Sequence, residues 1–163
     1  MSYQLPIHRP KCQFVAGIDP DLDKSGLVIY DRVEKAWFCK TLTQHKLQEA
    51  IIGSYTTHEL EIIVEAGWMN DSFFHEEGFP DTFDKWPLQN KLAYVAKAAS
   101  RVGENFGVGK SISHIFKANG YSVVEVAPTT AKWNADLFKR QTGLTHGYNE
   151  EIRDACRTMF PFI

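Results

Sequence analysis

The sequence has little cysteine, no long apolar run and almost no net charge. Its three cysteines, Cys12, Cys39 and Cys156, are odd in number and form no CxxC pair, so they fit neither a disulfide framework nor a zinc site. No apolar stretch approaches the roughly 18–20 residues needed to cross a bilayer. Residues 1–12 contain no apolar segment of the signal-peptide kind. We therefore expect no membrane span and a cytoplasmic protein with reduced thiols.

The net charge of −2 hides an asymmetry along the chain. Residues 1–84 carry 7 Lys and Arg against 14 Asp and Glu, whereas residues 85–163 carry 11 against 6. A polyanion such as a nucleic acid would therefore meet a basic C-terminal half, while acids gather in the first half. With 163 residues and 44% hydrophobic content, the chain is most simply one globular domain, residues 1–163.

Apolar runs separated by turn residues predict a mixed α/β sheet of five strands. Residues 13–19, 26–31 and 34–41 are three short strand patterns joined by short spacers, which favours an antiparallel meander. Residues 60–66 and 120–128 are two further strand patterns. Helical segments lie between the later strands, and such crossovers favour parallel pairing.

The spacing of the other apolar residues predicts three helices, at residues 44–55, 88–117 and 149–160. The apolar phase of the second helix slips near Gly103 and Gly107, which predicts a kink. Residues 67–86 have no period and contain many aromatic residues with Gly, Pro and Asp. We expect them to form an inserted loop, and loops of this length are usually functional or disordered.

Two motifs that suggest familiar sites fail on spacing. An EF-hand loop needs Gly at its sixth position and Glu at its twelfth, whereas the segment that begins at Asp19 has Lys24 and Tyr30 there. A P-loop needs four residues between its first glycine and the Gly-Lys pair, but "GENFGVGKS" encloses five. A calcium loop and a phosphate-binding loop are therefore both disfavoured.

Several acids stand where predicted strands end. Asp19 closes the first strand directly before Pro20, and Glu65 closes the apolar strand "IIVEA". If these strands are neighbours, both carboxylates emerge near the same edge of the sheet. An acid within an apolar strand is costly to desolvate unless something pairs with it. A cluster of hard oxygen ligands is what magnesium needs, and two such ions can clamp a phosphodiester.

The last predicted helix adds three more acids, Glu150, Glu151 and Asp154. Asp154 stacks over both glutamates, and the repulsion between Glu150 and Asp154 would be reversed by a divalent cation. Glu150 and Glu151 also suit any helix N-terminus, here beside Asn149 as the expected N-cap. The residues alone leave these two interpretations open.

Four stretches, in this order and spacing, resemble the RuvC-type Holliday junction resolvases of the ribonuclease H-like superfamily. They are "FVAGIDPDLDKSGLVIYD", "IIVEAGW", "VAPTTAKW" and "NEEIRDA". The similarity covers about residues 12–160, and the "GIDP" strand and the "RDA" helix are its most specific parts. The resemblance implies a ribonuclease H-like fold and a nuclease that uses two Mg²⁺ ions, for which Mn²⁺ can substitute.

The resemblance also implies roles for individual residues. Asp19 would ligate both ions, Glu65 matches the second-strand acid, and Glu151 and Asp154 match two acids three residues apart on the last helix. This sequence has Glu where the family usually has Asp, so Glu150 is an alternative ligand. Asp21 and Asp23 are interpreted as solvated turn residues. The family has basic residues near the scissile phosphate, for which the candidates are Lys132, then Lys139 and Arg140.

The substrate implied by the resemblance is branched DNA, most specifically a four-way junction, cut by a homodimer. Basic residues would hold phosphates without reading bases; the candidates are Lys91, Lys97, Lys110, Lys139 and Arg140. Apolar residues of the helix at 88–117 are candidates for the dimer interface or for the core. Two rival hypotheses stay open, an RNA-processing nuclease of the same fold and a non-catalytic nucleic-acid-binding module.

Overall fold

A mixed five-stranded sheet forms the centre of the molecule. The computed structural model describes residues 12–70, 79–129, 131–146 and 148–163. The strands are β1 (Phe14–Asp19), β2 (Ser25–Asp31), β3 (Ala36–Leu42), β4 (Leu60–Glu65) and β5 (Ser122–Val126). Their order across the sheet is β3-β2-β1-β4-β5. The pairs β1–β2 and β2–β3 are antiparallel, whereas β4 pairs parallel with both β1 and β5. The predicted mixed five-stranded α/β sheet, with three antiparallel strands followed by parallel ones, is confirmed.

Among the described residues, three of the four helices lie where the apolar spacing predicts them, and the helix at Ala135–Thr142 is additional. The four helices are α1 (Gln44–Ile52), α2 (Leu88–Ala118), α3 (Ala135–Thr142) and α4 (Glu150–Met159), and short 3₁₀ turns span Gly67–Met69, Phe83–Lys85 and Phe160–Phe162. Within the described part of the chain, we find no helix with the length and apolarity that a membrane crossing requires.

Alternating side chains divide the core between the two faces of the sheet. One face carries Ile18, Leu27 and Val64 toward α1 and the C-terminal half of α2. The other carries Val15, Val28, Ile63 and their neighbours toward α3 and α4. Asp19 and Glu65 lie two residues beyond Gly17 and Ile63, so they belong to the α4 face. The alternation of side chains along the strands therefore places both strand-end acids on the face of the sheet that α4 covers.

Helix α2 is continuous over 31 residues, so the change near Gly103 and Gly107 does not interrupt it. A Cβ at either glycine would meet nothing within 4 Å. The apolar phase changes there because only the C-terminal half of α2 is buried against the sheet. The close approach occurs instead at Gly109, where a Cβ would lie 2.5 Å from the Trp68 ring.

The expected inserted loop at about residues 67–86 is described at its two ends. Gly67–Met69 and Phe83–Lys85 form short 3₁₀ turns there. Residues 71–78 lie outside the described residues. Between the second turn and α2, the rings of Phe83, Trp86 and Tyr94 pack against one another with centroids 5.6–5.7 Å apart. This aromatic cluster anchors the C-terminal end of the loop on the helix.

Candidate active site

The strand-end acids emerge side by side. Ile18 pairs with Val64 in the parallel register of β1 and β4, so Asp19 and Glu65 are the next residues along the two strands. Neighbouring positions of parallel strands point to the same face. The sequence prediction that both acids reach one edge of the sheet therefore agrees with the strand register.

Two glycines on the strands let helix α4 approach the sheet closely enough to bring its acids near the strand-end acids. A Cβ at Gly17 would lie 2.2 Å from the carbonyl oxygen of Ala155, and one at Gly26 would lie 2.2 Å from that of Glu151. Only glycine permits such contact between a strand and a helix backbone. Asp154 lies between these two contact points and is 3% exposed. The glycines therefore seat Asp154 beside the strand ends.

An arginine links Glu65 to α4. The Arg157 guanidinium donates to Oε2 of Glu65 at 2.7 Å, and the Thr158 hydroxyl donates to the same oxygen at 2.6 Å. Nε of Arg157 lies 3.4 Å from Oδ1 of Asp154. A third contact, from Arg157 to the carbonyl oxygen and hydroxyl of Thr129, fixes the guanidinium further. Glu65 and Asp154 thus flank one buried cation.

Lys132 supplies a second cation from the segment after β5. Its Nζ donates to Oδ2 of Asp154 at 2.9 Å and to Oε1 of Glu150 at 2.8 Å. Partial burial alone would lower the pKa of Lys132, but the bonds to Glu150 and Asp154 outweigh it and raise the pKa above its usual range. Lys132 is therefore a stable cation at the edge of the acid cluster. Lys139 and Arg140, the alternatives, lie on α3 and are exposed.

Within the acid cluster, the ionised form of Asp19 is strongly disfavoured. Burial raises its pKa well above the ordinary value of 3.8, and the charges of Glu65 and Asp154 raise it further, while Lys132 opposes them. Burial likewise raises the pKa of Glu65, against hydrogen bonds from Thr158 and Arg157. Because opposite charge nearby would restore the ionised form, this site favours the approach of a cation.

The two candidate glutamates of α4 differ in their surroundings. The Asn149 side chain caps the helix by accepting from the backbone N–H of Ile152. Glu150 is bound to Lys132, and its side chain is 61% exposed. Glu151 instead contributes to the charge that raises the pKa of Asp19. Electrostatic proximity to Asp19 therefore favours Glu151 over Glu150 as the ligand.

The carboxylate oxygens of these acids are chemically suited to a hard divalent ion. In the structure, however, the acids are paired with the protein's own cations, Lys132 and Arg157. Among the residues that the structure describes, no three Asp, Glu, His or Cys side chains are grouped closely enough to hold a metal ion. Oδ1 of Asp154 is nevertheless buried without a hydrogen bond. No described residue donates a hydrogen bond to the Asp19 side chain. These oxygens are among those available for an ion to bind.

A cleft opens beside the strand-end acids. It has a volume of about 100 Å³ and runs from Asp19 and Glu65 to an apolar wall formed by Trp68, Phe106 and Pro128. Asp21 lies outside it, where its carboxylate accepts from the backbone N–H groups of Asp23 and Lys24. The prediction that Asp21 and Asp23 are turn residues agrees with this local turn.

The five predicted phosphate-binding residues divide between two helices. Lys91, Lys97 and Lys110 lie on α2, and Lys139 and Arg140 lie on α3. Lys91 donates to the carbonyl oxygen of Asp84 at 2.9 Å, so one of the donors of its ammonium group is already used. Lys110 stands 6.0 Å from the Trp68 ring centre, next to the cleft wall. Of the five, Lys110 is the one that these contacts connect to the cleft.

The sequence reasoning missed Arg157 and Thr158, which bind Glu65 directly. A signal existed, because Arg157 follows Asp154 by three residues and such residues are neighbours on a helix surface. Arg157 also falls within a run of α4 that is buried from Asp154 to Met159. A buried arginine requires a buried acid as partner.

Comparison with known proteins gives a structural likeness without a sequence match. No protein-family model matches the chain, and no curated protein matches it. The structure of T. thermophilus RuvC in complex with Holliday junction substrate is similar to it with a TM-score of 0.47 and 18% identity. The likeness covers 90% of this chain and 89% of the other.

Proposed function

We propose that the chain is a divalent-ion-dependent endonuclease that cuts branched DNA, most specifically four-way junctions. The observation that carries the proposal is that Asp19 and Glu65 line one cleft, while Asp154 of α4 is close enough for its charge to act on Asp19. Burial, and after it the charges of Glu65 and Asp154, raise the pKa of Asp19. Sites of this kind are kept where function requires them, because perturbed acids in a cleft are typical of catalysis.

The chemistry of the donors supports magnesium as the physiological ion, with manganese as a substitute. Carboxylate oxygens are the ligands that Mg²⁺ prefers. The residues that would hold it are Asp19, Asp154 and Glu151, and Glu65 lines the same cleft as Asp19. When bound, the ion would supply Lewis-acid polarisation of the scissile phosphate.

The chain's own residues would position the substrate around that ion. Lys132 is held beside Asp154, where its ammonium could bind a non-bridging phosphate oxygen and oppose the charge that develops on it. Lys110 borders the cleft wall at Trp68 and would hold a neighbouring phosphate. The apolar wall at Trp68 and Phe106 would exclude water from one side of the reacting group.

The branched substrate is supported by the motif resemblance and by the basic C-terminal half. Phosphate contacts of the kind available here position a backbone without reading bases. Two symmetric nicks require two active sites, so we propose that the active form is a homodimer. Sedimentation at micromolar concentration measures this directly, and a purely monomeric protein would contradict it.

Cleavage of matched substrates tests the proposal. The chain is incubated with a four-way DNA junction, a DNA duplex and an RNA duplex, with Mg²⁺, with Mn²⁺ or with EDTA. We expect cleavage of the junction alone, only with a divalent ion, and no cleavage by Asp19→Asn although it still binds the junction. Asp23→Asn is the matched control because Asp23 is an exposed turn residue, and it should cut normally.

Two results would redirect the proposal. Preferential cleavage of RNA would favour the RNA-processing nuclease. Tight junction binding without cleavage of any substrate in either ion would favour the non-catalytic binding module.

A further inference from the structure

Arg157 occupies a central place among the acids that would hold ions. Its side chain is 8% exposed, against 13% for Glu65 and 5% for Asp154. The guanidinium binds Glu65 at 2.7 Å through one terminal nitrogen and Thr129 through the other, while its Nε faces Oδ1 of Asp154 at 3.4 Å. A side chain held from three sides is a fixed part of the site.

The charge of this group is permanent. A guanidinium has five donors and no acceptor, and it is not deprotonated in proteins. It therefore places one positive charge between Glu65 and Asp154 at any pH at which the protein is folded. A divalent ion in the same position would meet both steric exclusion and repulsion by this charge.

Glu65 is correspondingly committed to protein donors. Its Oε2 accepts from Arg157 and from the Thr158 hydroxyl, at 2.7 and 2.6 Å. Oδ1 of Asp154 accepts no hydrogen bond and faces Nε of Arg157 at 3.4 Å, and no described residue donates a hydrogen bond to Asp19. The candidate ligands Asp19, Glu65, Glu151 and Asp154 carry four negative charges when ionised, and the paired cations Arg157 and Lys132 cancel two of them. One divalent ion would neutralise the remaining two.

We infer that Arg157 takes the place of one ion, so that the cleft holds a single divalent ion on the side of Asp19 and Asp154. The inference rests on the proposed function and departs from the two ions that the sequence resemblance implies. Arg157 also compensates the acids when no ion is present. The protein should therefore fold without divalent ions.

Counting bound Mn²⁺ tests the inference on the wild-type protein. Calorimetric titration gives the number of ions, and electron paramagnetic resonance distinguishes an isolated ion from a coupled pair, since paired ions lie about 3.5–4 Å apart. We expect one uncoupled ion that is lost in Asp19→Asn and kept in Asp23→Asn. Two coupled ions would overturn the inference and leave the nuclease proposal intact. No bound ion, with the junction also uncut, would overturn both.

Replacing the arginine gives a second, independent test. In Arg157→Met the ion count should rise from one to two, and Mn²⁺ should raise the melting temperature more than it does for the wild type, because an ion now fills the vacated position. Arg32→Met is the matched control. Arg32 also pairs with a glutamate of β4, since its guanidinium lies 3.7 Å from Glu61 with 14% exposure, but Glu61 is at the opposite end of that strand.

The expected pattern remains measurable if Arg157→Met is strongly destabilised. A variant that is unfolded in EDTA and folds on addition of Mn²⁺ supports the inference, and circular dichroism reports that change without any activity. An equal response of Arg157→Met and Arg32→Met to Mn²⁺ would overturn it, as would an unchanged ion count in the arginine variant.

Discussion

Replacing Gly26 by alanine will push α4 away from the sheet. A Cβ at this position would lie 2.2 Å from the carbonyl oxygen of Glu151 and 2.5 Å from its carbonyl carbon. Ordinary contact begins at 3.4 Å, so strand and helix must separate by about 1.2 Å, the difference between the two distances. Both partners are backbone, and neither can escape by changing a rotamer.

The structure sets the size of the effect. Overpacking a well-packed interior costs about 1–3 kcal/mol, and a backbone-to-backbone clash belongs in the upper half of that range. For a chain of this length each kcal/mol lowers the melting temperature by about 2–4 °C. We therefore expect a fall of about 4–12 °C for Gly26→Ala. The same displacement carries Glu151 and Asp154 away from Asp19, and a misplacement of about 1 Å can cost about 10²-fold in rate.

Gly107→Ala is the matched control for this prediction. Gly107 lies within α2, and a Cβ there would meet nothing within 4 Å. Alanine is favoured over glycine in a helix interior by about 0.5–1 kcal/mol, so this variant should melt at a slightly higher temperature than the wild type. Thermal unfolding followed by circular dichroism measures both. If Gly26→Ala melts at the same temperature as the wild type, the direct backbone contact between α4 and β2 is refuted.

Two further predictions concern the acids. The pKa of Asp19 is raised in the folded state, so the native protein binds more protons than the unfolded chain and loses stability as the pH rises from about 4 through the raised pKa. In EDTA, Asp19→Asn should therefore melt above the wild type at pH 7 and level with it near pH 3.5; a lower melting temperature at pH 7 would contradict the electrostatic argument. Glu151→Gln should weaken Mn²⁺ binding measured by calorimetry, whereas Glu150→Gln, which removes the charge from an exposed side chain, should change it little. The reverse order would assign the ligand to Glu150.

Much of the fold was predictable because the strands carry strong local patterns. The run "EIIVEA" is apolar on both faces, as expected of β4, a central strand paired with β1 and β5. The short spacers between the first three strands indicated the antiparallel meander that is found. The observed ends of strands and helices differ from the predicted ends by one to three residues; α1, for example, ends at Ile52 rather than at residue 55. Such ends are hard to predict because terminal residues are held by few contacts.

The site was predictable only in part, for a geometric reason. Asp19 and Glu65 stand at strand ends whose register follows from the parallel pairing, so their proximity could be inferred. Glu150 and Glu151 could not be separated, because neighbouring helix residues point about 100° apart and the rotation of α4 is set by its contacts at Gly17 and Gly26. Those contacts are formed by residues distant in sequence. Arg157 was missed although its spacing of three residues from Asp154 was a signal in the sequence.

Anomalous scattering from crystals soaked in Mn²⁺ tests the central claim most directly. We expect manganese within about 2.5 Å of the carboxylate oxygens of both Asp19 and Asp154, a separation typical of oxygen ligands to divalent ions. Manganese bound only elsewhere on the molecule, with Asp19 free of it, would contradict the convergence of these acids on a divalent ion.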